Sequence, residues 1–292
     1  MQIQRSFKSQ SPYGKLYLVA TPIGNLDDMT FRAIQTLKEV DWIAAEDTRN
    51  TGLLLKHFDI TTKQISFHEH NANEKIPNLI SFLKDGQSIA QVSDAGLPSI
   101  SDPGHDLVKA AILEDIPVVT VPGASAGISA LIASGLAPQP HIFYGFLPRK
   151  SGQQKQFFED KKAYPETQIF YESPHRVADT LENMLPVYGD RSVVLVRELT
   201  KIYEEYQRGS ITELLENIAE TPLKGECLLI IEGASQEIEE KDEKDLFIEI
   251  QDRILQGVKK NQAIKEVAKA YQWNKSQLYA AYHDWEENQI QD

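Results

Sequence analysis

Ser93-Asp94-Ala95-Gly96-Leu97-Pro98-Ser99-Ile100-Ser101-Asp102-Pro103-Gly104 follows the apolar run 89–92 and precedes a helical pattern over 102–113. An apolar strand that opens into small residues, carboxylates and prolines makes a loop that lets a ligand approach the backbone. Glycine accepts unusual dihedrals and leaves room, while proline fixes the shape and removes donors. At the carboxyl end of a parallel strand, such a loop is where open α/β sheets bind ligands. Taken by itself, the stretch reads equally as a tight turn in which Asp102 caps the next helix.

Working outward, apolar runs at 15–20, 41–45, 64–67, 89–92, 118–121 and 142–144 predict strands. Phe31, Ile34, Leu37 and Val40 recur at helical spacing, and further helices are expected near 48–56 and 74–84. Strands alternating with helices imply an α/β fold with a largely parallel sheet covered on both faces. The segment 145–152 carries glycine, proline and Arg149-Lys150 and reads as a connector, after which the pattern restarts. Strands are then expected at 167–171, 192–196, 204–208 and 227–231, and helices at 176–185 and 211–219. Fewer helices per strand there predict a mixed sheet. The charge run 237–245 reads as a solvated linker or a helix start. Three helical patterns follow it, at 248–255, 263–271 and 276–285, with Ser276 as the expected cap of the last.

The 292 residues carry 41% hydrophobic and 25% charged side chains, an ordinary balance for a soluble globular chain of two or three domains. The net charge of −13 argues against a general nucleic-acid coat, though not against a local basic patch. Cys227 is the one cysteine, which excludes an internal disulfide and a cysteine-rich zinc site. The polar start 1–10 reads as neither signal nor transit peptide, and no apolar run approaches the ~20 residues that span a bilayer. A cytoplasmic protein with no membrane association is the expectation.

The sequence lacks a GxxxxGK[ST] phosphate loop, an HExxH zinc motif and a GxSxG nucleophile elbow, and 22–26 is not the GxGxxG dinucleotide fingerprint. What remains are loops at strand ends, 21–26, 94–98, 122–126 and 171–176, each rich in small residues or proline. Four such loops on one sheet edge would line a cleft with backbone groups, suiting a ligand read through main-chain hydrogen bonds and apolar contact.

Several motifs in order resemble a known family. The run GKLYLVATPIGNLDDMTFRAIQTLKEVDWIAAEDTRNTGLLLKHFDI (14–60) looks like the opening of the tetrapyrrole-methylase superfamily. SFHEHN (66–71), VSDAGLPSISDPG (92–104), VPGASA (121–126), FYESPHR (170–176) and VRELTK (196–201) narrow the resemblance. They are similar to the branch that methylates a ribose 2′-hydroxyl of a cytidine in small-subunit (16S) ribosomal RNA. The resemblance covers 13–234, and the tail is also similar. It implies S-adenosylmethionine as cofactor, no metal, and two α/β domains (13–121 and 122–236) with the cofactor cleft between them. It also implies an acidic linker (237–245) and a small helical, helix-turn-helix-like domain (246–288). By position, the resemblance puts Pro22, Gly24, Asp94, Gly96, Leu97, Ser125, Ala126, Tyr171, Leu199 and Gly225 at the cofactor.

A ribose hydroxyl is a poor nucleophile, so a base must take its proton. Glu46, Asp47, Glu172 and Lys201 are the main candidates, with His68, His70 and Glu198 also in reach of the motifs. Asp47 reads equally as a helix cap; Lys201 by itself reads as a surface charge, and only its place in the family motif points to a role. For RNA contact, Arg49, Arg149, Lys150 and Arg176 could rim the cleft. From Arg253 to His283 the tail carries six Lys/Arg and one carboxylate, Glu266, reversing the sign of the whole chain. Lys259, Lys260, Lys265, Lys269 and Lys275 are its phosphate-contact candidates, on a helix pair held by Ile264, Val267, Ala268 and Leu278. A helical pair packed on a partner subunit is the alternative. The resemblance, with Trp273 as an exposed apolar position, leads to the expectation of a homodimer acting on 16S rRNA or the small ribosomal subunit. Two other readings stay open: a small-molecule methyltransferase acting on a tetrapyrrole precursor, and a non-catalytic nucleic-acid-binding regulator.

Overall fold

The computed structural model describes residues 2–4, 11–100, 104–235, 242–271 and 273–289. Its contacts divide the chain into two compact units, Met1–Ala234 and Ser235–Asp292.

The first unit begins with a sheet of β1 (Leu16–Val19), β2 (Trp42–Ala45), β3 (Lys63–Ser66), β4 (Ile89–Val92) and β5 (Val118–Val121). Their order is β3-β2-β4-β1-β5, and every pairing is parallel. Helices α1 (Phe31–Glu39), α2 (Thr48–His57), α3 (Ala72–Lys84) and α4 (Gly104–Leu113) make the crossovers. Side chains alternate between the two faces of a strand. Ile43, Ala45, Ala90 and Val92 accordingly pack with Ala33, Leu37 and Leu55, while Ala44 and Ile89 pack with Leu79, Leu83 and Leu107. All four residues of β4 are buried, as a strand covered on both faces requires. The expected cap Asp102 lies outside the described residues.

A second sheet follows, built from β6 (His141–Phe146), β7 (Thr167–Glu172), β8 (Ser192–Arg197), β9 (Glu205–Ser210) and β10 (Cys227–Ile231). Its order is β6-β7-β10-β8-β9, with β6 and β7 parallel and the other pairings antiparallel, the expected mixed sheet. Helices α5 (Ala126–Ser134), α6 (Ser151–Lys161), α7 (Val177–Tyr188) and α8 (Ile211–Glu220) accompany it. Helices α5 and α6 were not legible from periodicity. The first is made of small and apolar residues all round, and the second buries only Gln154 and Phe158. The connector expected at 145–152 is also corrected: Gly145 and Phe146 are strand residues inside the second sheet, and α6 starts at Ser151. The loops 21–26, 94–98 and 122–126 leave the first sheet at its carboxyl edge, whereas 171–176 leaves the second. The expectation of one sheet edge gives way to two.

The second unit holds α9 (Glu243–Leu255), α10 (Lys260–Ala270) and α11 (Lys275–Gln289). Ile264, Val267, Ala268 and Leu278 pack with Leu246, Phe247, Ile250 and Tyr282. Trp273 packs against this core and is not the exposed apolar residue expected. Of the acidic stretch 237–245, the part before Asp242 lies outside the described residues. Asp242 caps α9 by accepting the Asp245 N–H at 2.9 Å, so the stretch ends inside a helix. The cap of α11 is Asn274, whose Oδ1 accepts the N–H groups of Ser276 (2.9 Å) and Gln277 (3.2 Å); the expected cap Ser276 is one of its donors.

Replacing a side-chain cap by alanine costs about 1 kcal/mol. Asn274→Ala will therefore raise amide hydrogen exchange in the first turn of α11 several-fold in the full chain, and Ser276→Ala will leave it unchanged.

Candidate functional site

The loops after β1 and β4 are stitched together. Thr21 N–H donates to the Gly96 carbonyl at 2.9 Å, and Gly96 N–H returns to the Thr21 carbonyl at 3.1 Å. The Thr21 hydroxyl adds a bond to the Ser93 carbonyl at 3.1 Å. Gly96 sits at φ +75°, and a side chain there would come within 3.2 Å of Ile23 Cγ2. Glycine alone meets both demands at ease.

This stitched pair forms a partition between two cavities. A cleft of about 680 Å³ is lined by Ile23, Ala95, Gly96 and Leu97, and a recess of about 260 Å³ by Pro22, Gly24 and Asp94. Ser93 borders both. Each loop thus contributes to both cavities: Thr21, Pro22 and Gly24 to the recess and Ile23 to the cleft, Asp94 to the recess and Ala95, Gly96 and Leu97 to the cleft. Of the predicted cofactor residues, Gly96, Leu97, Ser125, Ala126, Tyr171, Leu199 and Gly225 come together in the cleft, whereas Pro22, Gly24 and Asp94 line the recess.

The far wall of the cleft is aromatic. Phe143 and Phe146 meet the Tyr171 ring edge-on at centroid distances of 5.0 and 5.5 Å. Burial pushes the Tyr171 phenol up from its ordinary value. Two residues three apart normally face opposite sides of a strand. A register shift between Phe143 and Gly145, with Gly145 at φ +69°, resets the alternation and puts both phenylalanines on the cleft. Sequence reasoning missed this pair; a glycine inside an aromatic strand pattern was the available signal. It also missed Ser93 and Glu226, which line the cleft.

The candidate proton acceptors differ in their surroundings. Glu46 lines the cleft, and its Oε2 accepts the Asp94 N–H at 3.3 Å. Asp47 caps α2 through the Arg49 N–H (2.8 Å) and pairs with the Arg49 guanidinium (2.6 Å). Those bonds hold its carboxyl at about 2, well below the ordinary aspartate range. Glu172 has a fully buried carboxylate that receives the Thr180 hydroxyl (2.9 Å), the Ser173 N–H (2.8 Å) and Arg176 Nη1 (3.2 Å). Lys201 Nζ lies 3.0 Å from both Glu198 and Glu226. Burial pulls the ammonium down, but its bonds to those two carboxylates outweigh this and hold it above its ordinary value, as a cation. Glu198 is held below its ordinary value by the Glu226 N–H and then by Lys201. His68 contacts Asn71, which caps its N–H, and its ring meets His70 at 6.0 Å.

The loop carrying Lys201 is strained, with Glu198 at φ +51° and Thr200 at φ +67°. The Lys201 stem covers Gly24: a side chain at Gly24 would come within 2.7 Å of Lys201 Cγ. This contact joins the second sheet's loop to the recess.

Among the predicted RNA contacts, Arg149 and Lys150 are exposed, while Arg49 is exposed but paired with Asp47. Arg176 turns inward to Glu172 and the Pro148 carbonyl (2.9 Å). In the second unit Lys259, Lys265, Lys269 and Lys275 are exposed and form no ion pair among the described residues. Lys260 is held by Glu286 and lies over the Tyr282 ring.

Residues 15–215 match the family of Tetrapyrrole (Corrin/Porphyrin) Methylases. A protein of Streptococcus pyogenes serotype M1 called ribosomal RNA small subunit methyltransferase I is 71% identical over 286 residues, spanning 97% of this chain and 100% of that protein. One of the same name from Bacillus subtilis (strain 168) is 48% identical over 289 residues, spanning 96% and 98%. Among solved structures, uroporphyrin-III-C-methyltransferase from Thermus thermophilus superposes with a TM-score of 0.53 at 19% identity, over 75% of this chain and 94% of that one. Diphthine synthase superposes at 0.57 and 12% identity, over 75% and 90%. These two likenesses concern the fold.

The Asp47–Arg49 pair gives a pH signature. A carboxyl lowered in the folded state contributes stability above its ordinary value of 3.8, and that contribution fades as the pH falls through about 2. Carboxyl NMR titration will find Asp47 near 2 in the native chain and back toward its ordinary value in Arg49→Gln.

Proposed function

This chain belongs to the tetrapyrrole methylases and, within them, to the family of ribosomal RNA small subunit methyltransferase I, and on that premise we propose that it methylates small-subunit ribosomal RNA from S-adenosylmethionine. The acceptor in this reading is the ribose 2′-hydroxyl of a cytidine in the decoding region of 16S rRNA. The observation that carries it is full-length identity of 71% to a protein of that name, joined to a cleft of about 680 Å³ whose walls suit the donor.

The fit rests on chemistry already described. Pockets of roughly 300–1,000 Å³ with apolar walls and a few polar groups hold ligands of this size. The aromatic wall of Phe143, Phe146 and Tyr171 suits an adenine ring. Backbone groups of Ala95, Leu97, Ser125 and Ala126 suit the polar ends of the cofactor, with Gly96, Leu199 and Gly225 completing the lining. Bound there, S-adenosylmethionine supplies a methyl group on a positively charged sulfur.

The chain's own task is alignment and proton removal, because methyl transfer is an in-line displacement by the acceptor oxygen. We take Glu46 as the base. It lines the cleft and accepts the Asp94 N–H there; Glu172 lines the cleft as well but its carboxylate already receives three donors, while Asp47 is tied to Arg49 and Lys201 is a cation between two carboxylates. Those three act as positioning residues.

In this reading 13–121 and 122–236 work as two α/β halves, and 246–288 as the nucleic-acid-binding part. Lys259, Lys265, Lys269 and Lys275, with Arg149 and Lys150, give an acidic chain its phosphate contacts. Among the described residues no helix is long and apolar enough to cross a membrane. Action on ribosomes places the protein in the cytoplasm, and a homodimer would cover exposed apolar residues such as Ile132 (76%) and Ile202 (90%).

Incubation with S-adenosylmethionine and small subunits lacking the modification will yield 2′-O-methylcytidine by nucleoside mass spectrometry. Transfer to a tetrapyrrole precursor instead, or no calorimetric binding of S-adenosylmethionine, would favour the two other readings. Glu46→Gln will lower kcat by about 10²–10⁴, the usual contribution of a general base, with cofactor affinity within twofold. Changing Lys259, Lys265, Lys269 and Lys275 to Gln will flatten the slope of log K against log salt by about 3, each phosphate contact contributing about 0.7–0.9.

A further inference from the structure

The recess beside the cleft carries features the proposed cofactor site does not need. Leu26 and Leu53, 41% and 71% exposed, form an apolar rim with Pro22. Asn50, one turn before Leu53 on α2, and Asp94 supply its polar groups. Asn50 Nδ2 lies 3.0 Å from Asp94 Oδ2. A carboxylate only accepts hydrogen bonds, so the amide nitrogen must face it. That bond locks the Asn50 amide in one orientation. The Asp94 carboxylate is anchored independently, since its Oδ1 accepts the Asp47 N–H at 3.1 Å.

Both groups keep capacity after those bonds. Each carboxylate oxygen can accept a second hydrogen bond, and the Asn50 nitrogen has a second hydrogen to donate. The pair therefore presents an acceptor beside a donor. That is the complement of a base edge with an exocyclic amine next to a bare ring nitrogen, as in cytosine and adenine. Uracil and guanine present a keto oxygen beside a ring N–H, so in the same seating their oxygen would face the Asp94 carboxylate, and they would match the pair only by moving one ring position along their edge or turning over. Carboxylates read the cytosine amine in the same way elsewhere.

We infer that this recess receives the extruded base of the acceptor nucleotide, with Asp94 and Asn50 reading an amino-bearing base and Leu26, Leu53 and Pro22 packing on its faces. The inference rests on the proposed reading that the acceptor is a nucleotide. Enzymes that act on a base take it out of its stack and read its pairing edge in a pocket, and an enzyme that must select one base before acting on its ribose can use the same device. The partition supplies the geometry: Asp94 and Ala95 are adjacent in the chain, and they face the recess and the cleft respectively. A base held in the recess thus sets its ribose beside the cleft. Pro22, Gly24 and Asp94 then belong to the acceptor side and not to the cofactor side.

The test uses the full chain. Leu53→Trp fills the mouth of the recess from an exposed helical position. It should lower kcat/KM for unmodified small subunits at least tenfold while S-adenosylmethionine affinity stays within twofold. In NMR titrations with S-adenosylmethionine present, cytidine or adenosine monophosphate should bind at least fivefold tighter than uridine monophosphate. Asp94→Asn should erase that preference, and whichever amino nucleotide binds better identifies the source of the edge. Wild-type rates in Leu53→Trp, loss of cofactor binding in that variant, or equal binding of the nucleotides would each overturn the inference. If the wild-type protein transfers no methyl group to small subunits yet keeps the amino-base preference and its loss in Asp94→Asn, the recess stands and the ribosomal reading falls. Transfer without any preference leaves that reading standing and removes this one.

Discussion

Two backbone hydrogen bonds between Thr21 and Gly96 organise the site. They are the point at which neighbouring parallel strands, having lost their ladder, are rejoined beyond the sheet. Strands β4 and β1 are adjacent in the sheet order, so their carboxyl ends leave side by side, and a bridge there holds the two loops together. The residues on either side of the bridge fall into different cavities, Asp94 into the recess and Ala95 into the cleft. A single stitched pair can therefore wall off two cavities and furnish both. Everything the site can do depends on that wall staying in register.

Around it the protein handles an excess of carboxylates by giving each a defined partner. Asp47 is held by Arg49, Glu172 by Thr180, Ser173 and Arg176, and Glu198 by Lys201 and the Glu226 N–H. A buried carboxylate without such donors would be costly, and removing one partner of a buried pair typically costs about 3–5 kcal/mol. These groups are thereby fixed as supports. Glu46 accepts the Asp94 N–H and lines the cleft, and that placement underlies its proposal as base.

Strain concentrates at the same place. Glu198 and Thr200 hold left-handed backbone conformations without being glycine, at a cost of roughly 1–2 kcal/mol each. The Lys201 bonds to Glu198 and Glu226 offset that cost, and the lysine stem lies on Gly24 across the junction of the two sheets. Strained residues of this kind gather where a surface must be shaped for a ligand. Leu199, between them, lines the cleft.

Local signals carried much of this. The apolar runs gave away the strands, the period of α1 was readable from Phe31 to Val40, and small or proline-rich loops marked the ligand-facing ends. Those features depend on neighbours in the chain, so a single sequence contains them. Helices α5 and α6 escaped because one is apolar all round and the other nearly polar all round, leaving no period to read. The roles of individual site residues escaped for another reason. Arg176 turns inward because the turn after β7 folds it back on Glu172 and the distant Pro148 carbonyl receives it, and Asn274 displaces Ser276 as a cap through loop geometry. The bulge at Gly145 alone decides that Phe143 and Phe146 share a face. The identity of the loops was thus written in the chain, while the division of their residues between two cavities came from pairing across distant segments. Which strand lies beside which, and in what register, is a property of contacts that no local period encodes.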